Sequence, residues 1–361
     1  MSNNWLDSAF ELHAANPVVE AHGDIPMDLW RRRRSGEEAP LRDDYLTRLR
    51  AGGVRIEFMT VGGDMPVTMD GEGRPELRAL ELIDDVLEET DGSPELQIVR
   101  TQGDLDQLLA AERIGLVLHF EGCRPLRGQP MLARTYHRLG LRSAQLTWNL
   151  RNELADGVAE GDVLGLTSAG REAVREFERL GVLIDVSHLA ERCFWEVCDI
   201  ARRPLVASHA NAAAVWPHPR NLTDEQIRAV AATGGYVGVC FFPAFIGPEP
   251  TLERLLDHVD HLAQLVGCEH IAVGPDYVEY VLDLMHADMT AGDTRLNYGE
   301  DWQFPDGLRR VETLPVFTAG LLERGYGDQD AAKIVGGNAL RVLREVLPQD
   351  GEGYDASDTK T

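Results

Sequence analysis

The sequence predicts a (β/α)8 TIM barrel with extended loops and C-terminal closing helices. Two observations predict this fold. Eight short runs rich in Val, Ile and Leu alternate along the chain with longer segments of helical periodicity. Glycine follows most of these helical segments, where a helix is expected to end. A doubly wound open sheet is the alternative, but no glycine-rich GxGxxG turn follows the first run.

The eight apolar runs are predicted to be buried parallel strands. They are short, rich in Val, Ile and Leu, and often preceded by Gly or Pro, and such apolar runs are typical of strands covered on both faces. In chain order they are PVVEAH, GGVRIEFMTV, IGLVLHFEG, RSAQLTW, GVLIDVSH, PLVASHA, GGYVGVCFF and HIAVGPD.

The segments between the runs are predicted to be helices. They are LRDDYLTRLRAG, PELRALELIDDVLEE, MLARTYHRLG, SAGREAVREFERLG, AERCFWEVCDIA, TDEQIRAVAATG and LERLLDHVDHLAQLVG. The long stretch between the second and third strands is predicted to include an extended loop region. The N-terminal MSNNWLDSAFELHAANP is expected to form a short amphipathic helix, and QDAAKIVGGNALRVLREVL the closing helices.

The length and composition fit one large domain. A chain of 361 residues with 43% hydrophobic residues can bury a substantial core. We predict a single domain over residues 1–348. The polar tail over residues 349–361 has no periodicity and is predicted to be disordered.

The composition disfavours nucleic acid and membranes as partners. A net charge of −25 opposes binding to anionic polymers and lipids. No run of about 18 apolar residues occurs, and the N-terminus is not the pattern of a signal peptide. Five cysteines are then expected to be reduced, in a cytoplasmic protein. The arginines at residues 31–34 are predicted to form a solvated loop, with binding of substrate carboxylates as the lesser alternative.

Metal-binding residue types follow the predicted strands at the points where the strands end. Because the C-terminal ends of barrel strands meet at one rim, these side chains are expected to lie close together. A His-x-Asp pair alone is also common in ordinary turns, and each of the other positions alone has a structural explanation. Several strand ends together are harder to explain by chance. The residues are His22 and Asp24 on the first strand, Glu121 on the third, His188 on the fifth, His209 on the sixth and Asp276 on the eighth.

Strand alternation refines this set. His22 and Asp24 are two residues apart and are predicted to face the same side, as are His119 and Glu121. Glu121 is nearer the rim, so His119 is expected to lie one layer below it, and Glu20 could face inward by the same parity. Four other residues are interpreted as structural: Asp185 as a hydrogen-bonding strand residue, His218 as a loop residue, and His258 and His261 on an outer helix.

This donor set suits two Zn²⁺-like ions about 3.5–4 Å apart. A carboxylated lysine is one possible bridge between two such metals. The only lysines are Lys333, in a predicted closing helix, and Lys360, in the tail. The bridge is therefore expected to be a carboxylate, and Glu121 is the candidate.

The chain resembles the membrane (renal) dipeptidase family of the amidohydrolase superfamily, including its soluble bacterial members. The resemblance runs from about residue 17 to 345 and rests on many motifs together. These are VVEAHGDIP, HFEG, LTWNLRNELADG, GVLIDVSH, the SHA that contains His209, HPRNLTDEQ, VGPD and IVGGNALRVL.

The resemblance implies specific roles for these residues. His22 and Asp24 would hold one zinc ion, His188 and His209 the other, and Glu121 would bridge them. Asp276 falls where the family has its catalytic aspartate, and Arg220 where an arginine receives the substrate's terminal carboxylate. Trp148 stands where better-known members carry a histidine that contacts the substrate, and VGPDYVEY also departs from the familiar pattern.

The resemblance further implies a metallo-dipeptidase that cleaves short peptides with a free C-terminus and tolerates a C-terminal D-residue. A water activated between the metals would attack the scissile carbonyl, with Asp276 carrying its proton to the leaving amine. The alternatives are a related amidohydrolase acting on another small amide or ester, or, less favoured, a metal-containing barrel without catalysis. The expected partners are dipeptides and possibly a second copy of the chain.

Overall fold

The strands of the computed structural model form the predicted barrel. It describes residues 3–65, 73–160, 163–278, 303–305 and 307–350. Its strands are β1 (Val18–Gly23), β2 (Val54–Gly63), β3 (Leu96–Ile98), β4 (Ile114–Glu121), β5 (Leu141–Gln145), β6 (Leu183–Asp185), β7 (Leu205–Ala207), β8 (Tyr236–Val239) and β9 (Ile271–Val273). Eight parallel strands lie in the order β1-β2-β4-β5-β6-β7-β8-β9, and β3 pairs with β4. A bridge between Gly23 and Tyr277 links the ends of the sheet, so the barrel is nearly closed.

The predicted helices are also present. The α-helices are α1 (Asn3–Ala15), α2 (Ile25–Arg34), α3 (Leu46–Ala51), α4 (Pro75–Asp91), α5 (Gln102–Ala110), α6 (Ala133–Leu139), α7 (Ser168–Leu180), α8 (Glu191–Ile200), α9 (Asp224–Ala232), α10 (Pro243–Ile246), α11 (Leu252–Val266), α12 (Leu314–Arg324), α13 (Asp328–Ala332) and α14 (Asn338–Val346). Short π-helices cover Leu41–Tyr45 and Lys333–Gly337, and 3₁₀-helices cover Arg124–Leu126, Pro130–Leu132, Cys268–His270 and Val311–Thr313.

Helix α7 illustrates how the local sequence sets an element's bounds. The Thr167 side chain accepts a hydrogen bond from the Gly170 N–H at 3.0 Å, a cap that contributes about 1 kcal/mol. Gly181 ends the helix with φ of 69°, which favours glycine. Val174 and Phe177 lie on the buried face between these ends, so the helix packs against the barrel.

Helix α14 closes the N-terminal end of the barrel. Its Val342 and Val346 lie in one buried cluster with Val117 and Val206 of the barrel strands. Arg203, in the loop before β7, donates from Nη1 to the Val346 carbonyl at 2.8 Å. This confirms the predicted closing helices and leaves the C-terminal ends of the strands for the functional site.

Two predicted loop regions are more ordered than expected. Besides the predicted helix α4, the described part of the stretch between β2 and β4 contains β3 and α5, which the sequence does not predict, and residues 66–72 lie outside the described residues. Strand β3 has only three residues, too few to show a pattern. Residues 31–34 end α2 rather than forming a loop. Arg33 and Arg34 each pair with Asp85 of α4 at 2.9 and 2.8 Å. Their charges therefore tie α2 to α4.

Glu20, which by parity could face the barrel interior, faces outward instead. The register between β1 and β2 shifts between Glu20 and Gly23. The alternation of side chains is interrupted there, so Glu20 and His22 do not face the same side although they are two residues apart. Glu20 pairs with Glu57 instead. The neighbour of Glu57, Phe58, faces the ring of His119 inside the barrel, so Glu57 points outward. Two buried carboxyl groups therefore lie side by side outside the interior.

Three remaining expectations concern the whole chain. No helix within the described residues combines the length and apolar character needed to cross a membrane. The five cysteines form no disulfide with one another, as predicted. Residues 351–361 of the predicted tail lie outside the described residues, so the boundary at residue 348 stays a prediction.

Replacing Glu57 by Gln is expected to raise the free energy of unfolding at pH 7 by about 1 kcal/mol or more. Burial, and then the charge of Glu20, raises the pKa of Glu57 well above its usual 4.5. The native state therefore keeps a proton that the unfolded chain releases, and stability falls as the pH rises above about 4.5. Gln removes this loss.

Urea unfolding at pH 5 and pH 8 measures the effect. Glu57→Gln should flatten the pH dependence of stability, whereas Glu172→Gln, at an exposed position of α7, should not. Equal curves for the two variants would contradict a buried carboxyl pair.

Candidate metal centre

The structure brings all six strand-end residues together at the C-terminal end of the barrel. They come from β1, β4 and the turns after β1, β6, β7 and β9. Five of them are buried: His22, Asp24, Glu121, His188 and His209. The sixth, Asp276, is half-buried.

The carboxylate of Glu121 lies at the middle of this group. Its Oε1 is 3.5 Å from His22 Nε2, 3.2 Å from His188 Nε2 and 3.6 Å from His209 Nε2. The Nε2 atoms of His188 and His209 are 2.8 Å apart, and Asp24 Oδ1 is 3.8 Å from His22 Nε2. Four separate strands therefore aim their polar atoms at one small volume.

The donor atoms fit a metal ion. Donor atoms of His22, Glu121 and His209 lie within 4.8 Å of one another, as do those of His22, Asp24 and Asp276. Both ring nitrogens of His22, Oδ1 of Asp24 and Oε2 of Glu121 are buried without a hydrogen-bond partner. Buried polar atoms are costly unless something compensates them. Imidazole nitrogens and carboxylate oxygens are the ligands that Zn²⁺ prefers besides thiolate.

Burial sets the charge of the three imidazoles. It lowers the pKa of His22, His188 and His209 well below the usual 6.5, and the positive charge of Arg220 adds to the effect. All three rings are therefore neutral at pH 7, the form that binds metals.

Burial acts on the carboxyl groups in the opposite direction. It raises the pKa of Glu121 well above its usual range, and the charges of Asp24 and Asp276 add to this. The pKa of Asp24 rises to about 8, first through burial and then through Asp276. The pKa of Asp276 rises to about 6 through burial, partly opposed by Arg220. Crowded buried carboxylates of this kind are stabilised by a nearby cation.

Neighbouring side chains hold the imidazoles in place. His188 Nδ1 is bonded to Asn149 Oδ1 at 2.8 Å, and His209 Nδ1 to Ser208 Oγ at 2.8 Å. Since each Nδ1 has a protein partner, each Nε2 is aimed at the site. His119 lies below the site as predicted, with its ring 5.5 Å from that of His22 and its Nδ1 bonded to Ser143 Oγ at 2.9 Å.

Asp185 supports the strand ends, as predicted for a hydrogen-bonding strand residue. Its Oδ1 accepts from the backbone N–H groups of Ser187 at 2.9 Å and Ser208 at 3.0 Å. Its Oδ2 accepts from Gln145 Nε2 at 2.8 Å. One buried carboxylate thus fixes the residues that precede His188 and His209. Both His258 and His261 lie on α11, outside the barrel, also as predicted.

Unusual backbone conformations occur at the site. His188 and Asp276 have φ of 65° and 59°, a region that non-glycine residues seldom adopt. Such conformations persist only where the surroundings enforce them, and they cluster at functional sites. Gly23, between His22 and Asp24, lies against the end of the Glu57 side chain, which would have to move to make room for a Cβ there.

Arg220 and Trp148 both lie beside this centre. Arg220 is buried, donates from Nη2 to the His209 carbonyl at 3.1 Å, and has no hydrogen-bond partner at Nε. The ring of Trp148 is half-buried, 6.2 Å from the ring of His188. His218, predicted as a loop residue, also lies here and accepts from the Arg220 N–H at 3.1 Å.

Two residues of the site were missed in the sequence. Asn149 follows Trp148 in the motif LTWNLRNELADG, but nothing in that pattern marks it as the partner of His188. Asp64 lies after β2 and joins two loops. Its Oδ1 accepts from the Arg124 N–H at 2.8 Å, and its Oδ2 from Asn152 Nδ2 at 2.8 Å and the Trp148 N–H at 3.3 Å.

The family model for membrane dipeptidases, peptidase family M19, matches residues 6–283 and 278–349. The chain belongs to this family. This M19 member is 30% identical to an uncharacterised dipeptidase of Schizosaccharomyces pombe, over 91% of this chain and 80% of the yeast protein. It is 28% identical to dipeptidase verJ of Clonostachys rogersoniana, over 94% of this chain and 87% of that protein.

Solved structures agree with the family and the fold. Dipeptidase AC, a metallopeptidase of family M19, is 26% identical with a TM-score of 0.78, over 92% of this chain and 99% of that one. A metallopeptidase from Rhodobacter sphaeroides, bound to a phosphinate mimic of L-Ala-D-Ala, gives a TM-score of 0.77 at 24% identity, over 92% and 99% of the two chains. The second likeness shows the fold alone. The M19 member described here is thus a metallo-dipeptidase on a TIM barrel.

Replacing Asp64 by Asn is expected to lower both stability and activity. The amide would turn an N–H₂ group toward at least one of the donors from Arg124, Trp148 and Asn152, at a cost of about 1–3 kcal/mol. The loop that carries Trp148 and Asn149 would lose its anchor, so kcat should fall with it. Thermal unfolding and peptidase assays of the metal-loaded protein measure the two effects. Asp91→Asn, at the exposed end of α4, is the matched control, and equal behaviour of the two variants would contradict the anchoring role.

Proposed function

We propose that this chain is a binuclear zinc dipeptidase that cleaves short peptides with a free C-terminus. One observation carries the proposal: Oε1 of Glu121 lies within 3.6 Å of the Nε2 atoms of three histidines. A carboxylate surrounded by neutral imidazoles is suited to bridge two metal ions.

The proposed ligands divide into two groups around Glu121. His22 and Asp24 would hold one ion, and His188 and His209 the other, with Glu121 shared. The short distance between the last two Nε2 atoms, 2.8 Å, supports a common ion for that pair. When bound, two such ions would lower the pKa of an attacking water and polarise the scissile carbonyl.

Asp276 is proposed as the proton carrier. Its oxygen lies in one 4.8 Å group with donor atoms of His22 and Asp24, at the edge of the centre rather than at its middle. Its carboxylate would take the proton from the attacking water and deliver it to the leaving amine. The left-handed backbone at Asp276 fixes the direction of this side chain.

Arg220 is proposed to bind the substrate's terminal carboxylate. Its guanidinium lies beside the centre, and its Nε has no hydrogen-bond partner although the side chain is buried. A planar guanidinium pairs with a carboxylate through two parallel hydrogen bonds, which suits a free C-terminus. Trp148, whose ring lies 6.2 Å from that of His188, would contact the substrate. Its indole N–H can donate a hydrogen bond but cannot carry charge.

Tolerance of a C-terminal D-residue is part of the proposal. It rests on the family resemblance, and the Rhodobacter sphaeroides metallopeptidase bound to a mimic of L-Ala-D-Ala is a reason to include that dipeptide in the test. A related amidohydrolase acting on N-acyl amino acids is the competing function, since these substrates also present a carboxylate to Arg220.

A substrate panel with metal analysis tests the function. The zinc-loaded protein is expected to hold two ions per chain and to cleave L-Ala-L-Ala and L-Ala-D-Ala. Chelation should abolish the activity and zinc should restore it. L-Ala-L-Ala amide, which lacks the carboxylate, should be a poor substrate. Protein without bound divalent ions, or cleavage of N-acetyl-alanine but of no dipeptide, would contradict the proposal.

Asp276→Asn separates the proton carrier from the metal ligands. The amide cannot accept the proton, so kcat should fall by about 10²–10⁴-fold while both ions stay bound. Asp199→Asn, at an exposed position of α8, is the control and should keep normal activity. Loss of one ion together with activity would make Asp276 a ligand, and normal turnover would mean that another group carries the proton.

A further inference from the structure

We infer that the cavity beside His188 and Arg220 receives the side chain of the substrate's C-terminal residue and prefers an uncharged, apolar one. The inference rests on the proposed function, because Arg220 must hold the terminal carboxylate for that side chain to enter. The cavity has a volume of about 470 Å³, ample for a single side chain.

Three loops at the C-terminal end of the barrel form the cavity. They follow β5, β6 and β7, the same loops that carry Trp148, His188 and Arg220. His188 and Arg220 are buried and lie at its inner end, whereas Glu191, Pro217 and Thr223 are exposed and lie at its mouth. A substrate anchored at Arg220 therefore has the cavity directly beside its C-terminal residue.

The walls between the two ends are mainly apolar. The apolar lining residues include Val158, Val163, Val186, Leu189, Ala213 and Leu222. Two polar lining residues, Asn221 and Gln226, are engaged in part, although Oδ1 of Asn221 is buried without a hydrogen-bond partner. Asn221 Nδ2 donates to the carbonyls of Trp216 and Phe245, both at 2.8 Å, and Gln226 Oε1 accepts from the Thr223 N–H at 2.9 Å. A side chain in the cavity thus meets mainly hydrocarbon, and the one unpaired oxygen of Asn221, an acceptor, offers nothing to a carboxylate.

The charges disfavour an acidic side chain. Arg220 is the only arginine or lysine among the described lining residues, and the terminal carboxylate would occupy it. A second carboxylate would face apolar walls and the negative charge of Glu191 at the mouth. Burying a charge without a partner is costly, so a C-terminal Asp or Glu should bind poorly.

The walls are held in place before any substrate binds. The Val158 N–H donates to the His188 carbonyl at 2.7 Å, and the Ala213 N–H to the Leu222 carbonyl at 2.8 Å. Isolated bridges also link Gly157 to Leu189 and Ala212 to Leu222. A preformed apolar cavity selects side chains without a cost of ordering its walls.

Steady-state kinetics of the zinc-loaded protein with L-Ala-L-Xaa test the preference. Leu and Phe as Xaa are expected to give kcat/KM about ten- to a hundredfold above Gly, the effect of burying one large apolar side chain. Asp should fall below Gly. If Asp or Lys were cleaved as well as Leu, the inference would be overturned and the dipeptidase function would stand. If no dipeptide were cleaved, both would fail.

Two substitutions tie the preference to this cavity. Val158→Asp puts a carboxylate in the wall and should lower the Leu-to-Gly ratio of kcat/KM at least tenfold. Leu164→Asp, in the same loop but 66% exposed and outside the lining, should change the ratio by less than about twofold. Ala213→Leu fills part of the cavity and should lower the Phe-to-Gly ratio of kcat/KM. This second wall variant tests the inference if Val158→Asp does not fold. Unchanged ratios in the folded wall variants would overturn the inference.

Discussion

The position of the Glu121 carboxylate constrains the whole C-terminal end of the barrel. Its Oε1 lies between 3.2 and 3.6 Å from three imidazole nitrogens that come from three other strand ends. Burial makes a carboxylate in such a place expensive, and it also keeps the three imidazoles neutral. Burying this group of side chains thus costs free energy in the metal-free chain, and bound cations would offset that cost. The strand ends are built for metal binding at some cost to the stability of the metal-free chain.

The barrel provides this convergence through a few local devices. The register shift in β1 breaks the strand's alternation, with Gly23 allowing the close approach of Glu57. Asn149 and Ser208 hold the rings of His188 and His209 by their Nδ1 atoms. The register shift sets the position of His22, and the two hydrogen bonds set the orientation of the His188 and His209 rings. As a result the Nε2 atoms point toward the metal centre.

The sequence predicts the eight barrel strands and the six residues that meet at their ends, for one physical reason. Parallel strands share a rim, so residues placed at strand ends become neighbours whatever their separation along the chain. The match to known motifs then separates candidate ligands from supporting residues. Neither step needs the positions of individual atoms.

The remaining features depend on atomic detail that no pattern carries. Asp64 and Asn149 act through single hydrogen bonds, two of those to Asp64 coming from backbone N–H groups that every loop possesses. Parity alone allows an inward-facing Glu20, and the register shift between Glu20 and Gly23 is what turns it outward. Arg33 and Arg34 look like part of a solvated run because their partner Asp85 lies on α4, more than 50 residues away. Features that follow from periodicity and strand direction can therefore be predicted from the sequence. Features that depend on a single contact between distant residues cannot.

The loop after β5 connects the candidate metal centre to the cavity beside it. Asn149 in this loop holds the His188 ring, and Val158 in the same loop bonds the His188 carbonyl and lines the cavity. Asp64 anchors the start of the loop, while Asp156 accepts from the N–H groups of Leu164 and Gly165 further along it. A backbone shift that reshaped the cavity wall would therefore move His188 as well. Side-chain changes in the wall are the less disruptive route to a new substrate preference, because they leave the hydrogen bonds to His188 intact.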